Sequence, residues 1–218
     1  MQNILEITCP AVRDFAGVMS AAEKAAVAHA NDLGLDFDTM LGKYGVLWMF
    51  ARSHVRMERL PEGEMTVRTW LRTPTAAVSI RDYTFLCGEE EIGQGFQYWV
   101  LADAEKRNIV NMKTIPPIWE APHIQPERKG TLRRLVLPEL APVEKWQITK
   151  ADLDRNGHLN NVNYVRHGEV YAPKDAKTLD IFFDHECLCG DILTIEAADG
   201  FVRGVKEDGE VSFHARFY

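Results

Sequence analysis

The sequence predicts an α+β fold in which an antiparallel sheet wraps around one central helix, with this unit present twice. Two observations support this fold, and a third distinguishes the two halves. Each half of the chain reads as a strand, a loop, one helix and then several strands joined by turns. The first helix is rich in alanine, which favours helix and permits close packing against a sheet. Only the second helix is preceded by a dense polar loop.

The first repeat begins with a short strand at Ile7-Thr8 and continues into a helix over residues 20–33, which Gly34 ends. Alanines at five positions of this helix favour a buried location. The strands that follow are predicted at residues 52–60, 68–71 and 94–101. Turns at Gly63 and Gly88 separate them. This half therefore supplies one helix and an antiparallel sheet.

The second repeat follows the same order. A strand at Ile148-Thr149 precedes a helix from residue 160 to about residue 171, which stops before Pro173. Strands at 178–186, at 194–196 and after Gly209 complete the repeat. One helix per curled sheet is typical of a hotdog, so we predict a tandem (double) hotdog. We assign residues 1–118 to the N-terminal repeat, the proline-rich residues 119–142 to a linker, and residues 143–218 to the C-terminal repeat.

An alignment of the two repeats pairs Asp14 with Asp154 and Gly17 with Gly157. It then sets Ala16 against Asn156 and Val18 against His158. Polar groups are present in the second repeat alone. We therefore predict that chemistry is confined to that repeat.

Composition excludes several classes of function. The net charge of -7 and the pI near 5.5 argue against binding nucleic acid or anionic membranes through bulk charge. No window reaches the roughly 18 apolar residues of a membrane span. The four cysteines do not form the disulfide framework of a small secreted domain, so reduced thiols are expected. The prediction is a soluble, cytoplasmic protein without a bound metal, nucleotide or flavin.

The loop at residues 152–161 combines carboxylates, amides and an imidazole directly before a helix, where free backbone N–H groups can polarise a carbonyl. Two other interpretations stay open. Its opening matches a calcium loop, although Asn163 stands where the closing glutamate is required. The same residues would also serve as a helix cap without catalysis.

The motif Asp154-Arg-Asn156-Gly-His158-Leu-Asn160-Asn161-Val-Asn-Tyr164, with Glu186-Cys187 downstream, resembles the fatty acyl-ACP thioesterases of plants and bacteria. The resemblance extends over essentially the whole chain. It implies hydrolysis of the thioester between a fatty acyl chain and acyl carrier protein. It also implies that the N-terminal repeat binds the acyl chain or carrier, while the C-terminal repeat is catalytic.

Thioester hydrolysis needs an activated water and a stabilised oxyanion. We therefore expect Glu186 to act as general base on water, with His158 and Asn156 positioning the water or the carbonyl and Asp154 orienting both. Cys187 is a possible nucleophile, but a route through water needs no thiolate, so we treat it as a neighbour. The alternatives are an acyl-CoA thioesterase of the same fold and a non-catalytic protein that binds an acyl chain or a carrier.

An acidic carrier protein requires a positive docking surface. One candidate is formed by Arg128, Lys129, Arg133 and Arg134; the other is formed by arginines of the first repeat at positions 52, 56, 59, 68 and 72. The aromatic residues Trp48, Phe50, Tyr98 and Trp99 are candidates to line an acyl tunnel or to pack in the core. The sequence leaves open both a monomer and a homodimer.

Overall fold

The computed structural model describes residues 2–125 and 130–218, and in this part of the chain ten strands form a single antiparallel sheet. The strands are β1 Leu5–Cys9, β2 Val46–Met57, β3 Met65–Leu71, β4 Ser79–Cys87, β5 Glu90–Asp103, β6 Ala141–Gln147, β7 Thr178–Phe183, β8 Ile192–Ala198, β9 Phe201–Lys206 and β10 Val211–Phe217.

The order across the sheet is β1-β3-β4-β5-β2-β7-β10-β9-β8-β6. Read from its two edges, it gives the same order twice: first, third, fourth, fifth and second strand of each half. The halves join where β2 pairs with β7, with Ser53 opposite Ile181. The predicted double hotdog is confirmed, because each half supplies five strands in an identical order and a central helix between its first and second strands.

The α-helices are α1 Phe15–Leu33, α2 Phe37–Tyr44, α3 Pro116–Glu120 and α4 Asn161–Gly168. Short 3-10 turns occur at Met112–Thr114, Lys150–Asp152 and Glu169–Tyr171. The helix α2 was missed from the sequence because it has only one buried side chain, that of Met40. A helix of this length with so little apolar periodicity gives no clear pattern.

The helix α1 begins five residues before the predicted start at residue 20, because Asp14 caps it. The Asp14 carboxylate accepts the Gly17 N–H at 2.6 Å. The helix ends as predicted at Gly34, whose φ of 67° is the left-handed conformation that glycine adopts without strain. Of the five alanines singled out in the sequence, four are buried, with Ala22 and Ala25 fully inaccessible, and Ala28 is half-buried. The helix therefore lies close to the sheet.

The start of α1 is also bound by the other repeat. The carboxylate of Glu169, in the 3-10 turn after α4, accepts the N–H groups of Phe15 at 2.7 Å and Ala16 at 3.1 Å. An anion at a helix N-terminus is stabilised by the unpaired N–H groups there. The two central helices are therefore linked end to end through one side chain.

The helix α4 is shorter than predicted, since its last predicted residues form the 3-10 turn. Its cap is Asn160, whose side chain accepts the Val162 N–H at 2.8 Å. Asp14 and Asn160 therefore mark equivalent helix starts, and the predicted match of Asp14 with Asp154 is wrong. Val18 lies inside the first turns of α1, whereas His158 lies in a loop ahead of α4.

One hydrophobic core spans both repeats. It contains Ala25 of α1, Val55 of β2, Ile181 of β7 and Phe213 of β10, none more than 1% exposed. Across the join, the rings of Phe15 and Phe217 meet edge to face with centroids 5.9 Å apart. The repeats are therefore packed as one body rather than as two independent domains.

Candidate active site

The polar loop between β6 and α4 is a turn organised by the carboxylate of Asp154. One oxygen accepts the backbone N–H of Asn156 at 2.8 Å and that of His158 at 3.1 Å. The other accepts the Asn156 side-chain amide at 3.3 Å. Gly157, with a φ of 80°, permits the reversal. Asp154 therefore orients the Asn156 side chain directly, but orients His158 through its backbone.

The His158 ring is held from the other side. Its Nε2 lies 3.3 Å from Oε2 of Glu186. The two side chains are 27% and 38% exposed, so both remain open to a substrate. The segment that carries Glu186 is placed by backbone contacts to the loop, since the Leu159 N–H donates to the Cys187 carbonyl at 2.9 Å. All four predicted site residues therefore lie in one connected group.

Glu186 does not lie on a strand, as the sequence had indicated. The strand β7 ends at Phe183, and Glu186 follows in an irregular segment. Two backbone N–H groups of this segment, those of Asp184 and His185, donate to the Ser212 carbonyl. Ending the strand early turns Glu186 towards the loop instead of fixing it in the sheet.

A residue that the sequence did not indicate completes this group. Arg107, in the hairpin after β5, forms a short ion pair with the other carboxylate oxygen of Glu186. It has a φ of 60°, a left-handed conformation that is uncommon for arginine. No pattern in the sequence points to Arg107, because the contact joins positions 79 residues apart.

A cavity of about 590 Å³ opens beside this loop. One part of it is lined by residues of the loop and the start of α4: Asp154, Arg155, Asn156, Asn160 and Asn161. Most of the rest is lined by α1, α2 and the inner face of the first repeat's sheet, with Ile118 of α3. The predicted tunnel residues Trp48, Phe50 and Trp99 are in its wall, with the last two stacked at 4.9 Å. The fourth, Tyr98, is not: its ring lies under Arg52 and its hydroxyl accepts the Leu132 N–H.

Glu23 of α1 also lines the cavity. Burial raises the pKa of its carboxyl, the negative charge of Asp154 raises it further, and Lys24 lowers it. Charge on Glu23 is therefore disfavoured next to the loop. The sequence concealed this residue within an alanine-rich helix.

Cys187 is fully buried, and its sulfur lies 3.0 Å from the Ser212 hydroxyl. Burial raises the pKa of the thiol, while hydrogen bonds from Ser212 and Tyr164 lower it less. A thiol that resists ionisation and lacks access to solvent is a poor nucleophile. Its position agrees with the expectation that Cys187 is a neighbour of the site.

The structure bears on both alternative interpretations of the loop, the calcium site and the helix cap. Within residues 2–125 and 130–218, no group of three or more histidine, cysteine or acidic side chains is arranged to hold a metal ion. The Asp152 carboxylate instead binds the backbone and hydroxyl of Thr149 in a capping box. Capping of α4 falls to Asn160, which leaves Asp154, Asn156 and His158 free of that role.

The first-repeat arginines do not form a free positive surface. Arg72 is buried against Asp82, and Arg52 lies over the Tyr98 ring. The other three are paired with acids: Arg56 with Glu58, Arg59 with Glu90 and Arg68 with Glu6. Of the other candidate, Arg128 and Lys129 lie outside the described residues, whereas Arg133 and Arg134 are exposed.

None of the helices in the described part of the chain has the length and the apolar character needed to cross a membrane.

The fold and this site place the chain among double-hotdog proteins. Residues 12–114 match the model of the acyl-ACP thioesterase N-terminal domain. The resemblance to acyl-ACP thioesterases is thereby confirmed, although the motif at residues 154–164 and the Glu186-Cys187 pair lie outside the matched range.

Relatives and solved structures agree. The chloroplastic oleoyl-acyl carrier protein thioesterase of Coriandrum sativum is 22% identical over 191 residues, covering 76% of this chain and 52% of the relative. The corresponding thioesterase 2 of Arabidopsis thaliana is 22% identical over 205 residues, covering 81% and 55%. The chain thus spans about half the length of the plant relatives it matches.

An acyl-ACP thioesterase from Bacteroides thetaiotaomicron superposes with a TM-score of 0.87 at 18% identity, over 99% of this chain and 97% of the other. A 12:0-ACP thioesterase from Umbellularia californica superposes with a TM-score of 0.78 at 18% identity, over 100% and 97%. These similarities show the double-hotdog fold.

Proposed function

We propose that this protein hydrolyses the thioester of fatty acyl-[acyl carrier protein], releasing a free fatty acid and the carrier thiol. The observation that carries the proposal is the connected group of Asp154, Asn156, His158 and Glu186 next to a cavity with an aromatic wall. The family match and the plant relatives support the substrate class.

The general base in this proposal is Glu186. Its carboxylate takes a proton from water as the water oxygen attacks the thioester carbonyl. The bond to sulfur then breaks, and Glu186 returns the proton it took from water to the leaving thiolate. Because Oε2 of Glu186 lies 3.3 Å from His158 Nε2, the two side chains are close enough to position one attacking water together. Arg107 positions the carboxylate from the opposite side.

Asn156 is assigned to the carbonyl. Its amide is fixed by Asp154, so an N–H can point at developing negative charge without reorganising. Preorganised donors of this kind contribute roughly 10²–10³ in rate. Asp154 acts through Asn156 and through the backbone of His158, and is therefore a positioning residue.

We assign the acyl chain to the N-terminal repeat, within residues 1–118, and catalysis to the C-terminal repeat, within residues 143–218, with residues 119–142 as the linker. Most of the cavity wall comes from the first group, and the loop at its edge comes from the second. Arg133 and Arg134, in the linker, are the exposed candidates for docking an acidic carrier. A cytoplasmic location and a homodimer stay predictions.

The test is release of free thiol from a panel of acyl-ACPs and the matching acyl-CoAs. We expect turnover of acyl-ACP, and a loss of about 10²–10⁴-fold in kcat for both Glu186→Gln and His158→Ala, because each removes a group that acts on the attacking water. Faster turnover of acyl-CoA would instead favour the acyl-CoA thioesterase.

The chain offers a matched control pair. His185 and Glu210 are also an exposed histidine and glutamate near each other, at 3.9 Å, and they stand outside the proposed site. His185→Ala and Glu210→Gln should keep wild-type rates. Folded protein without turnover on either carrier would contradict the proposal and favour a protein that only binds acyl chains. Loss of all activity in Cys187→Ala, with the fold intact, would contradict the water route.

A further inference from the structure

The inner face of the first repeat carries unexpected polar groups inside the cavity. Ser79 and Arg81 are 3% and 6% exposed, and both line it. They lie two residues apart on β4, so they point to the same face of the sheet. Ser79 is opposite Trp99 of β5, one of the aromatic residues in the cavity wall. A cavity for a plain hydrocarbon chain has no need of these groups.

The guanidinium of Arg81 is only partly bonded. Its NH1 contacts His29 Nδ1 at 2.8 Å and Thr69 Oγ1 at 3.3 Å. The other ring nitrogen of His29 lies 3.0 Å from the Gln2 carbonyl and donates to it, so Nδ1 is an acceptor and the ring is neutral. Arg81 thus has no carboxylate partner among residues 2–125 and 130–218, and its Nε and NH2 have no acceptor there.

The neighbouring donors are also unbonded. Among residues 2–125 and 130–218, the Ser79 hydroxyl makes no hydrogen bond, and the solvent-inaccessible Trp99 indole N–H makes none either. The Trp99 N–H is closed off from solvent, whereas Ser79 and Arg81 belong to the wall of the open cavity, so a chain that fills the cavity would bury donors that have no protein acceptor. Here the donors cluster on adjacent strands, at the wall of one cavity.

We propose that Ser79 and Arg81 form a polar subsite that binds an oxygen atom carried by the acyl chain, as a hydroxyl or an oxo group. The inference rests on the proposed function, because it assumes that the cavity holds the chain. A neutral oxygen fits better than a second carboxylate. Asp154 lines the same cavity, and its negative charge would repel another anion.

The test compares acyl-ACPs of one chain length that carry no oxygen, a hydroxyl or an oxo group at successive carbons. Wild type should prefer one oxygenated position over the plain chain by at least about tenfold in kcat/KM, because binding the plain chain leaves buried donors unpaired. Ser79→Ala and Arg81→Met should reduce that preference. A hydroxyl and an oxo group at the same carbon distinguish a site that only donates from one that also accepts.

Ser53→Ala is the matched control. Ser53 is a fully buried serine of β2 whose hydroxyl contacts the Met19 sulfur at 3.6 Å, and it does not line the cavity. It should keep the wild-type preference. Ser79→Ala keeps the test informative if Arg81→Met does not fold. Equal rates for all chains, or an unchanged preference in Ser79→Ala, would overturn the proposal.

Failure of the proposed function has a different result, since no acyl-ACP would then be hydrolysed. The subsite is then tested by calorimetric titration of wild type and Ser79→Ala with a free hydroxy fatty acid and with its plain counterpart. Tighter binding of the hydroxy acid by wild type alone would support the subsite. If wild type and Ser79→Ala bound the hydroxy acid equally tightly, the subsite would be rejected.

Discussion

The two repeats share a strand order but differ in what they contribute to the cavity and to the polar loop beside it. In the first, the 19-residue helix α1 carries alanine against the sheet and leaves space that becomes the cavity. In the second, the 8-residue helix α4 follows a polar loop and packs larger side chains, such as Val162 and Val165. The first repeat therefore lines most of the cavity, while the second supplies the polar loop at its edge.

The charged pairs of the two repeats also differ, in how far they are buried. In the first repeat, Arg72 holds Asp82 through two nitrogens, at 2.5 and 2.7 Å, and both side chains are less than a tenth exposed. In the second, Arg203 and Glu196 pair across β8 and β9 at 2.5 Å, with 34% and 16% exposure. The first pair is desolvated and the second is partly open to water.

The largest expected effect on stability follows from this contrast. Asp82→Ala leaves the Arg72 guanidinium buried without its carboxylate, and should cost about 3–5 kcal/mol in the free energy of unfolding. Glu196→Ala, the matched change in the other repeat, should cost less than about 1 kcal/mol because water can replace the lost partner. Urea denaturation of both variants measures the difference. Equal losses in the free energy of unfolding would mean that the two repeats tolerate the loss of a charged partner equally well.

A second prediction tests the close approach of α1. Ala25 is fully buried in the core, so Ala25→Leu should overpack it and cost about 1–3 kcal/mol. Val27→Leu, at a position of the same helix that is 55% exposed, should change stability by less than about 0.5 kcal/mol. Thermal unfolding of the two variants measures the difference between their stabilities. A stable Ala25→Leu protein would show that α1 has room to move.

A third prediction concerns the two left-handed turns beside the site. The loop of the second repeat uses Gly157, whereas the hairpin of the first uses Arg107. Both Arg107→Gly and Arg107→Ala remove the ion pair with Glu186, but only glycine accepts a φ of 60° without strain. Arg107→Gly should be more stable than Arg107→Ala by about 1 kcal/mol.

The reverse change at the other turn completes that comparison. Gly157→Ala should lose a similar amount, because an added Cβ meets nothing within 4 Å and only backbone strain opposes it. Urea midpoints of the three variants decide the matter. If Arg107→Ala were as stable as Arg107→Gly, the strain at position 107 would be absent.

The sequence was sufficient for the parts of this molecule that repeat. The same order of strand and helix patterns appears in both halves of the chain. Because each half supports the interpretation of the other, the double hotdog could be predicted. The group of Asp154, Asn156 and His158 could also be found, because its members are close in sequence. Its role in catalysis stays a prediction.

Contacts between distant segments could not be predicted. Arg107 reaches Glu186 from another repeat, and Glu169 caps the start of α1 across the join. Nothing in the local pattern marks either residue. The alignment of Asp14 with Asp154 failed for a related reason: both residues stand before a helix, but a few extra loop residues move the cap to Asn160.

The last prediction concerns the acid that α1 contributes to the cavity. Burial raises the pKa of Glu23, and Asp154 adds to the rise. The folded state therefore binds this proton more tightly than the unfolded state, where the pKa is near 4.5. The resulting contribution to stability is complete below that pKa and is lost as the pH rises through the folded value.

Glu23→Gln removes that dependence, so the variant should match wild type at pH 4 and become relatively more stable at pH 7 and above. Glu62→Gln, at an exposed turn of the same repeat, is the control and should show no such divergence. Urea midpoints across the pH range measure the difference in stability between each variant and wild type. Parallel pH curves for Glu23→Gln and wild type would show that the α1 wall of the cavity is solvated. The first repeat would then lack the desolvated interior that distinguishes it from the loop of the second.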